Sequence, residues 1–563
     1  MRLRRYTTRS LAVVLVSIAL LAPATSAGAA PAIRTTGDTI SVLVGLRSTD
    51  GMFVAAIHAS VMPDGRVFMM GTDAASFPTT ASDVGHFSFL YTPDAVGAPL
   101  PTTEAQTMQM APVDLHNVVS NGHLLDDSVI CGGTTFLSDG RLLIAGGTRV
   151  VKDAATGKLQ MAVGGNYGTA FNGTQWTRLA GTMTGVGQVR TGRWYPTMTR
   201  LANGKILVTG GYDNVGPVYF TANLSEEVYD PAASTWTTIS SQTQTPTATH
   251  DADYTAVFQL PTAVQGNDVL MIGEDGLPTY MTSSTTPATW RSSFQPRPGS
   301  TPGGKLSNGA GTAMLPIRLT DGQWGYHNGS VLTMSGLLGS AAVARADVFD
   351  PVANAWTRSI DTGTPRHYPA PVLLPDGRVL LINGHNSTPT SSVLVPQYLD
   401  PANGFALTSS PVDGVEVRGY HNVAVLLPDG RVLVGGGRDL DRTTSSEKPD
   451  LAYFSPAYMN QTRPVITSAP GQLGYGQSAY VGSSTTLPTE AVLMGLPSMT
   501  HSFDQNQRSI QISLTAKAVG GGNTQISQIV GPANASVAPP GYYMLFVLDA
   551  NRVPSVAKIV HIG

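Results

Sequence analysis

Residues 131–147 read "CGGTTFLSDGRLLIAGG": an apolar run, a Ser-Asp-Gly turn, a second apolar run and a pair of glycines. The phrase returns as "HASVMPDGRVFMMGT" (58–72), "YPTMTRLANGKILVTGG" (195–211), "YPAPVLLPDGRVLLING" (368–384) and "HNVAVLLPDGRVLVGGG" (421–437). Asp-Gly or Asn-Gly between alternating apolar runs signals a hairpin, because these residues tolerate the positive φ that a tight two-residue turn demands. Two looser copies with longer insertions, at 251–276 and 306–336, bring the count to seven. Between the hairpins, "EEVYDPAASTWTTI" (226–239) and "ADVFDPVANAWTRS" (346–359) supply a strand, an Asp-Pro turn and a tryptophan strand. Four strands repeated at a period of tens of residues predict blades around an axis. The expected fold is all-β, with a seven-bladed Kelch-like β-propeller over residues 36–461. From "RPVITSAP" (463–470) the period stops, and residues 462–563 read as a C-terminal immunoglobulin-like β-sandwich.

Bulk composition agrees with this architecture. Charged residues make up 13% of the chain, and 61 glycines and 39 prolines punctuate it. No long segment has helical spacing, so almost no helix is expected. Residues 1–30 have the anatomy of a secretory signal: Arg2, Arg4, Arg5 and Arg9, an apolar stretch from Leu11 to Ala22, then small residues before a cleavage point near Ala29 or Ala30. That stretch is shorter than the ~20 residues a membrane span requires. Removing four arginines takes the net charge from −3 to −7, which argues against nucleic acid as a partner. The reading is a secreted protein without a membrane span, expected to be a monomer.

An exported chain normally pairs its cysteines. This one has a single cysteine, Cys131, and its register gives it company. Cys131 lies eight residues before Asp139, Tyr195 eight before Asn203, Tyr368 eight before Asp376 and His421 eight before Asp429. Equivalent positions at the start of inner strands form a ring at one mouth of a propeller, so residues far apart in sequence converge there. Tyr420 adds a second phenol beside His421. Imidazole with phenolate suits a d-block ion, and tetragonal nitrogen-plus-oxygen coordination favours Cu(II). Zinc would call for more histidines or thiolates and calcium for clustered carboxylates. One copper exchanges one electron, whereas oxidising an alcohol or aldehyde takes two. A redox-active phenol supplies the second, and a Tyr–Cys thioether would lower its oxidation potential.

These stretches resemble the copper-radical oxidases that include galactose oxidase and glyoxal oxidase. The resemblance rests on "CGG" at Cys131, "RWYP" at Tyr195, "YHNVAVLLPDGRVLVGGG" from Tyr420, "THSFDQNQR" around His501, the junction "FSPAYMNQTRPVITSAP" and "PPGYYMLFVLDANRVPSVA" in the last domain. It implies one copper ion held by Tyr195, Tyr420, His421 and His501. Tyr195 would be joined through sulfur to Cys131 and bear the radical, as a self-processed cofactor. His501 would reach the site from the sandwich. The implied reaction takes a small aldehyde, as its hydrate, or a primary alcohol and uses O2 as acceptor to give hydrogen peroxide, with Tyr420 as general base.

The chain also departs from galactose oxidase, leaving no room for a carbohydrate-binding domain before the propeller. Where that enzyme stacks a tryptophan over its crosslinked tyrosine, "GGYDNVG" places Tyr212 or Asp213. Trp194 is shared with the glyoxal-oxidase-like members, which this chain resembles more closely. Arg193, Trp194, His367, Tyr368, Tyr212 and Asp213 are the expected substrate contacts, although Arg193 would equally suit an ion pair between blades. A non-catalytic propeller binding glycan or protein would not need this set of groups. A hydrolase working from acids near the axis has little support, since the recurrent aspartates form turns.

Overall fold

The computed structural model describes residues 37–43, 54–73, 87–96, 117–120, 123–153, 159–183, 192–215, 220–240, 253–284, 286–292, 295–300, 307, 309–386, 395–413, 416–438, 447–484, 486–519 and 525–563. The expected signal, residues 1–30, lies outside them.

Each Asp-Gly phrase forms the two inner strands of a blade. In the third blade, Thr197–Arg200 and Ile206–Thr209 are buried throughout, while the edge strand Thr235–Thr238 alternates between exposed and half-buried residues. That is the pattern of a strand with one wet face. The same antiparallel order recurs in the fourth blade (Ala256–Val264 to Thr289–Ser292), the fifth (Gly311–Met314 to Ala355–Arg366) and the sixth (Ala370–Leu373 to Ala406–Ser409). In the second blade, His123–Phe136 and Leu142–Asp153 extend into a wider sheet. The seventh blade borrows its outer strand from the start of the chain, where Thr39–Val42 pairs with Leu451–Ser455. Asp38, next to that strand, is buried and accepts from Tyr398 Oη (2.9 Å), Ser410 Oγ (2.8 Å) and the Ala457 N–H (2.7 Å). Among the described residues there is no α-helix, only 3-10 turns at Pro401–Asn403 and Ala457–Asn460, and no helix is long and apolar enough to cross a membrane.

The C-terminal unit is a sandwich whose layers share one strand. Ser509–Val519 pairs through Ser509–Ile512 with Ala491–Met494, and through Ser513–Val519 with Gln525–Val530. A strand that changes partners in this way turns the corner between two sheets.

From this sandwich a hairpin, Ser498–Thr500 and Phe503–Asp504, enters the propeller and adds itself to Val54–Val61, the inner strand of the first blade. Inner strands around an axis end in unpaired edges, which need partners once water is excluded. The "DQNQR" stretch supplies them. Gln505 Oε1 accepts the N–H groups of Thr134 (3.0 Å) and Met198 (2.9 Å) in two successive blades, and Gln507 Oε1 accepts that of Met314 (3.0 Å). Ser498 Oγ bonds Ser60 Oγ and Thr134 Oγ1, both at 2.8 Å. Gln505→Met keeps the volume but orphans two buried donors. It should lower the unfolding free energy by about 2–5 kcal/mol in urea titration.

Candidate active site

At the head of the inner strand, or for Cys131 at the bulge within it, six blades carry a residue with left-handed backbone: Cys131 (φ 63°), Tyr195 (69°), Tyr254 (45°), Gly309 (58°), Tyr368 (56°) and His421 (70°). Several are linked blade to blade. The Tyr195 N–H donates to the Cys131 carbonyl (2.8 Å), that of Tyr254 to Tyr195 (3.0 Å) and that of Tyr368 to Gly309 (2.8 Å). The conformation also redirects side chains. In an extended strand, consecutive side chains point to opposite faces. Here Trp194 and Tyr195 stack (centroids 3.7 Å apart, 21° between planes), as do Tyr420 and His421 (3.9 Å, 28°), and His367 lies against Tyr368 (3.9 Å, 30°).

His501 arrives on the sandwich hairpin. With Thr500 opposite Phe503, the turn consists of His501 (φ 50°) and Ser502 (φ 71°), both left-handed as a type I′ turn requires. Its ring lies 4.8 Å from that of Tyr195, 4.6 Å from His421, 5.2 Å from Tyr420 and 4.6 Å from Tyr254. The Cys131 sulfur is 3.8 Å from His501 Nε2, and this sulfur and one nitrogen from each of His421 and His501 fall within 4.8 Å of one another. The phenol oxygens of Tyr195 and Tyr420 are in direct contact.

Outer partners orient both imidazoles. His421 Nδ1 bonds Glu447 (2.6 Å), whose carboxylate also receives Arg438 Nε (2.5 Å); His501 Nδ1 bonds Thr500 Oγ1 (2.6 Å). Each ring therefore presents Nε2 to the centre, in the arrangement that fixes the tautomer of a metal-bound histidine. Burial pushes the Glu447 carboxyl up, but the neighbouring His421 and Arg438 outweigh it and hold the pKa below the ordinary value. Burial pushes the Cys131 thiol up to about 12, against hydrogen bonds from Tyr195 and Trp194. The two imidazole nitrogens and two phenol oxygens form a set that fits Cu(II).

Beside Tyr420 and His501 opens a pocket, lined also by Tyr254, Glu274, Gly309 and Tyr368. A Cβ on Gly309 would lie 2.3 Å from the His367 ring and 3.0 Å from Tyr368. Glycine is what lets His367 fold in here.

Not every expected contact reaches this cavity. Arg193 has no exposed surface; it pairs with Glu227 (2.9 Å) and bonds the Gly210 carbonyl (2.7 Å), clamping its own blade rather than facing the mouth. His367 is buried between Tyr368 and His385, while Tyr368 lines the cavity. Asp213 is buried and accepts the Gly192 N–H (3.1 Å). Neither Asp213 nor Tyr212 replaces the stacked indole. Trp194 itself covers Tyr195, and Tyr212 supports it through backbone bonds of 2.8 and 2.6 Å. The expectation that Tyr212 or Asp213 stands where an indole would cover Tyr195, read from the position of "GGYDNVG", is thus corrected: the left-handed Tyr195 brings its preceding residue, Trp194, onto the same side.

Four neighbours escaped the sequence reading. Tyr254 belongs to the ring, but its strand runs on to Val264 before turning, so a fixed offset from the turn misses it. His58 stands next to a bulge between Ala56 and His58 that breaks the first blade's register. Thr500 and Glu447 are brought in by contacts that no spacing encodes.

Residues 463–562 match the family model described as galactose oxidase-like, Early set domain. Over 398 residues the chain is 28% identical to galactose oxidase of Gibberella zeae, covering 66% of this chain and 54% of that protein. The chain is similar in sequence to galactose oxidase and to aldehyde oxidases named GLOX. The aldehyde oxidase GLOX of Vitis pseudoreticulata is 33% identical over 212 residues (34% of this chain, 40% of the relative), and GLOX1 of Arabidopsis thaliana 34% over 217 (34% and 35%). The chain thus spans about half, or less, of the length of these oxidase relatives. A solved structure described as a novel fungal alcohol oxidase of the AA5 family, in complex with copper, shares the fold. Its TM-score is 0.65 at 19% identity, over 93% of this chain and 99% of that one.

Glu447→Ala should weaken Cu(II) binding by about 10–100-fold in a competitive chelator titration. It should also destabilise the metal-free protein by about 3–5 kcal/mol, because Arg438 loses a buried counter-charge.

Proposed function

We propose that this chain is a secreted copper-radical oxidase that converts a small aldehyde hydrate or a primary alcohol to its oxidised product while reducing O2 to hydrogen peroxide. The observation that carries the reading is the meeting of two phenols, two imidazoles and the lone thiol at one point, beneath a stacked indole. Tyr195, Tyr420, His421 and His501 would hold the copper, which supplies one-electron exchange. Tyr195, crosslinked to Cys131 and shielded by Trp194, would be the second redox group.

The chain's own groups then divide the work. Substrate enters beside Tyr254 and Tyr368 and presents its hydroxyl to Tyr420, which takes the proton as general base. The Tyr195 radical takes the hydrogen from the substrate carbon. The pair of electrons and both protons pass to O2, so a primary alcohol leaves as aldehyde and an aldehyde hydrate as acid. Similarity to the GLOX relatives supports small aldehydes ahead of galactose, and the arginine-rich, apolar first 30 residues support export.

Incubating purified protein with Cu(II) in air should remove two hydrogens from the intact mass and shift its migration in denaturing gels. Cys131→Gly and Tyr195→Phe should each abolish both changes and all peroxide formation; peroxide from either variant would defeat the proposal. In a peroxide-coupled screen of glyoxal, methylglyoxal, glycolaldehyde, benzyl alcohol and galactose, an aldehyde should give the highest kcat/KM. A clear preference for galactose would overturn the substrate assignment.

A further inference from the structure

We propose that His58 is a positioning residue for both halves of the centre, holding Cys131 in crosslinking geometry on one side and fixing the tautomer of His501 on the other. This rests on the copper-oxidase reading above.

The argument begins with a gap in the ring. Where ring residues are linked between neighbouring blades, an N–H meets the carbonyl of the preceding blade. Cys131 follows the first blade, whose inner strand is bulged between Ala56 and His58. The His58 imidazole takes the place of that carbonyl, accepting the Cys131 N–H at Nε2 (3.1 Å). His58 is wholly buried, so the bond is sheltered from water. An unanchored N–H here would cost about 1–3 kcal/mol and free a left-handed cysteine to relax. Relaxation would swing the sulfur away from Tyr195.

The other arm runs to the sandwich. His58 pairs with Thr500 across the strands, and its Nε2 lies 3.5 Å from Thr500 Oγ1, which is 2.6 Å from His501 Nδ1. These contacts set the proton directions. Accepting from Cys131 requires an unprotonated His58 Nε2, so the proton of the neutral ring resides on Nδ1. His501 turns Nε2 toward the centre, so its Nδ1–H donates to Thr500, and the threonine hydroxyl proton is shared between His58 Nε2 and the Tyr254 phenol oxygen. The single lone pair of His58 Nε2 thus takes the Cys131 N–H at 3.1 Å and meets the Thr500 hydroxyl at a looser 3.5 Å. A protonated or missing His58 would release the hydroxyl to compete for His501 Nδ1.

The step that reads the first arm is formation of the thioether. A bond forms between Cys131 sulfur and a Tyr195 ring carbon, the S–H and ring C–H bonds break, and two electrons and two protons pass to O2 to give hydrogen peroxide. The experiment times the two-hydrogen mass loss after adding Cu(II) to copper-free wild type, His58→Ala and His58→Gln in air, with copper saturation set by chelator titration. His58→Ala should crosslink about tenfold more slowly at full copper occupancy, and His58→Gln, whose amide oxygen can accept the same N–H, should recover most of the rate. Crosslinking of His58→Ala at the wild-type rate overturns the proposal. Equal slowness of the Ala and Gln variants overturns it too, since lost packing would then suffice. The second arm is read in Thr500→Val, which keeps the shape and should bind Cu(II) about tenfold more weakly; unchanged affinity removes that arm. If wild type itself loses no hydrogens, the oxidase reading has failed instead, before His58 is tested.

Discussion

Left-handed backbone at the head of the inner strands is the constraint on which the rest depends. For any residue but glycine it costs roughly 1–2 kcal/mol. Cys131, Tyr195, Tyr254, Tyr368 and His421 all adopt it, so the surrounding blades must offset a substantial strain. What the strain achieves is geometric. It breaks the alternation of the strand, so that Trp194 lies on Tyr195 and Tyr420 on His421, and several reactive rings crowd one end of the axis. Strained backbone concentrated at a prospective reaction centre fits the general tendency for such residues to persist where structure over-determines them.

The sandwich enforces this arrangement from below. Its hairpin satisfies the open edges of the inner strands with Ser498, Gln505 and Gln507, and in doing so fixes the height and rotation of His501. The same contacts therefore stabilise the union of the two units and place a candidate ligand. Buried polar networks of this sort impose one docking geometry, because each alternative leaves amide groups unpaired.

The sequence carried the fold in its turns. Asp-Gly and Asn-Gly chemistry located the blades, and an eight-residue offset located Cys131, Tyr195, Tyr368 and His421 because their hairpins have equal length. It failed at Tyr254, whose hairpin is longer, and at His58, where a bulge shifts the register. Arg193 stood open between the mouth and an ion pair because sequence shows that an arginine precedes the ring but not that Glu227 is waiting inside the same blade. The covering role of Trp194 was hidden for a different reason: φ at Tyr195 is set by the bond to Cys131 in the neighbouring blade, and alternation rules do not contain such bonds.

The seventh blade is finished by residues 39–42, and His501 is supplied from near the other end of the chain. A ribosome releasing this polypeptide must therefore pass residue 455 before the circle can shut and residue 501 before that imidazole can arrive. A donor set drawn from both units is incomplete in a partly made chain, so a centre built on it could form only in molecules that have passed their own assembly.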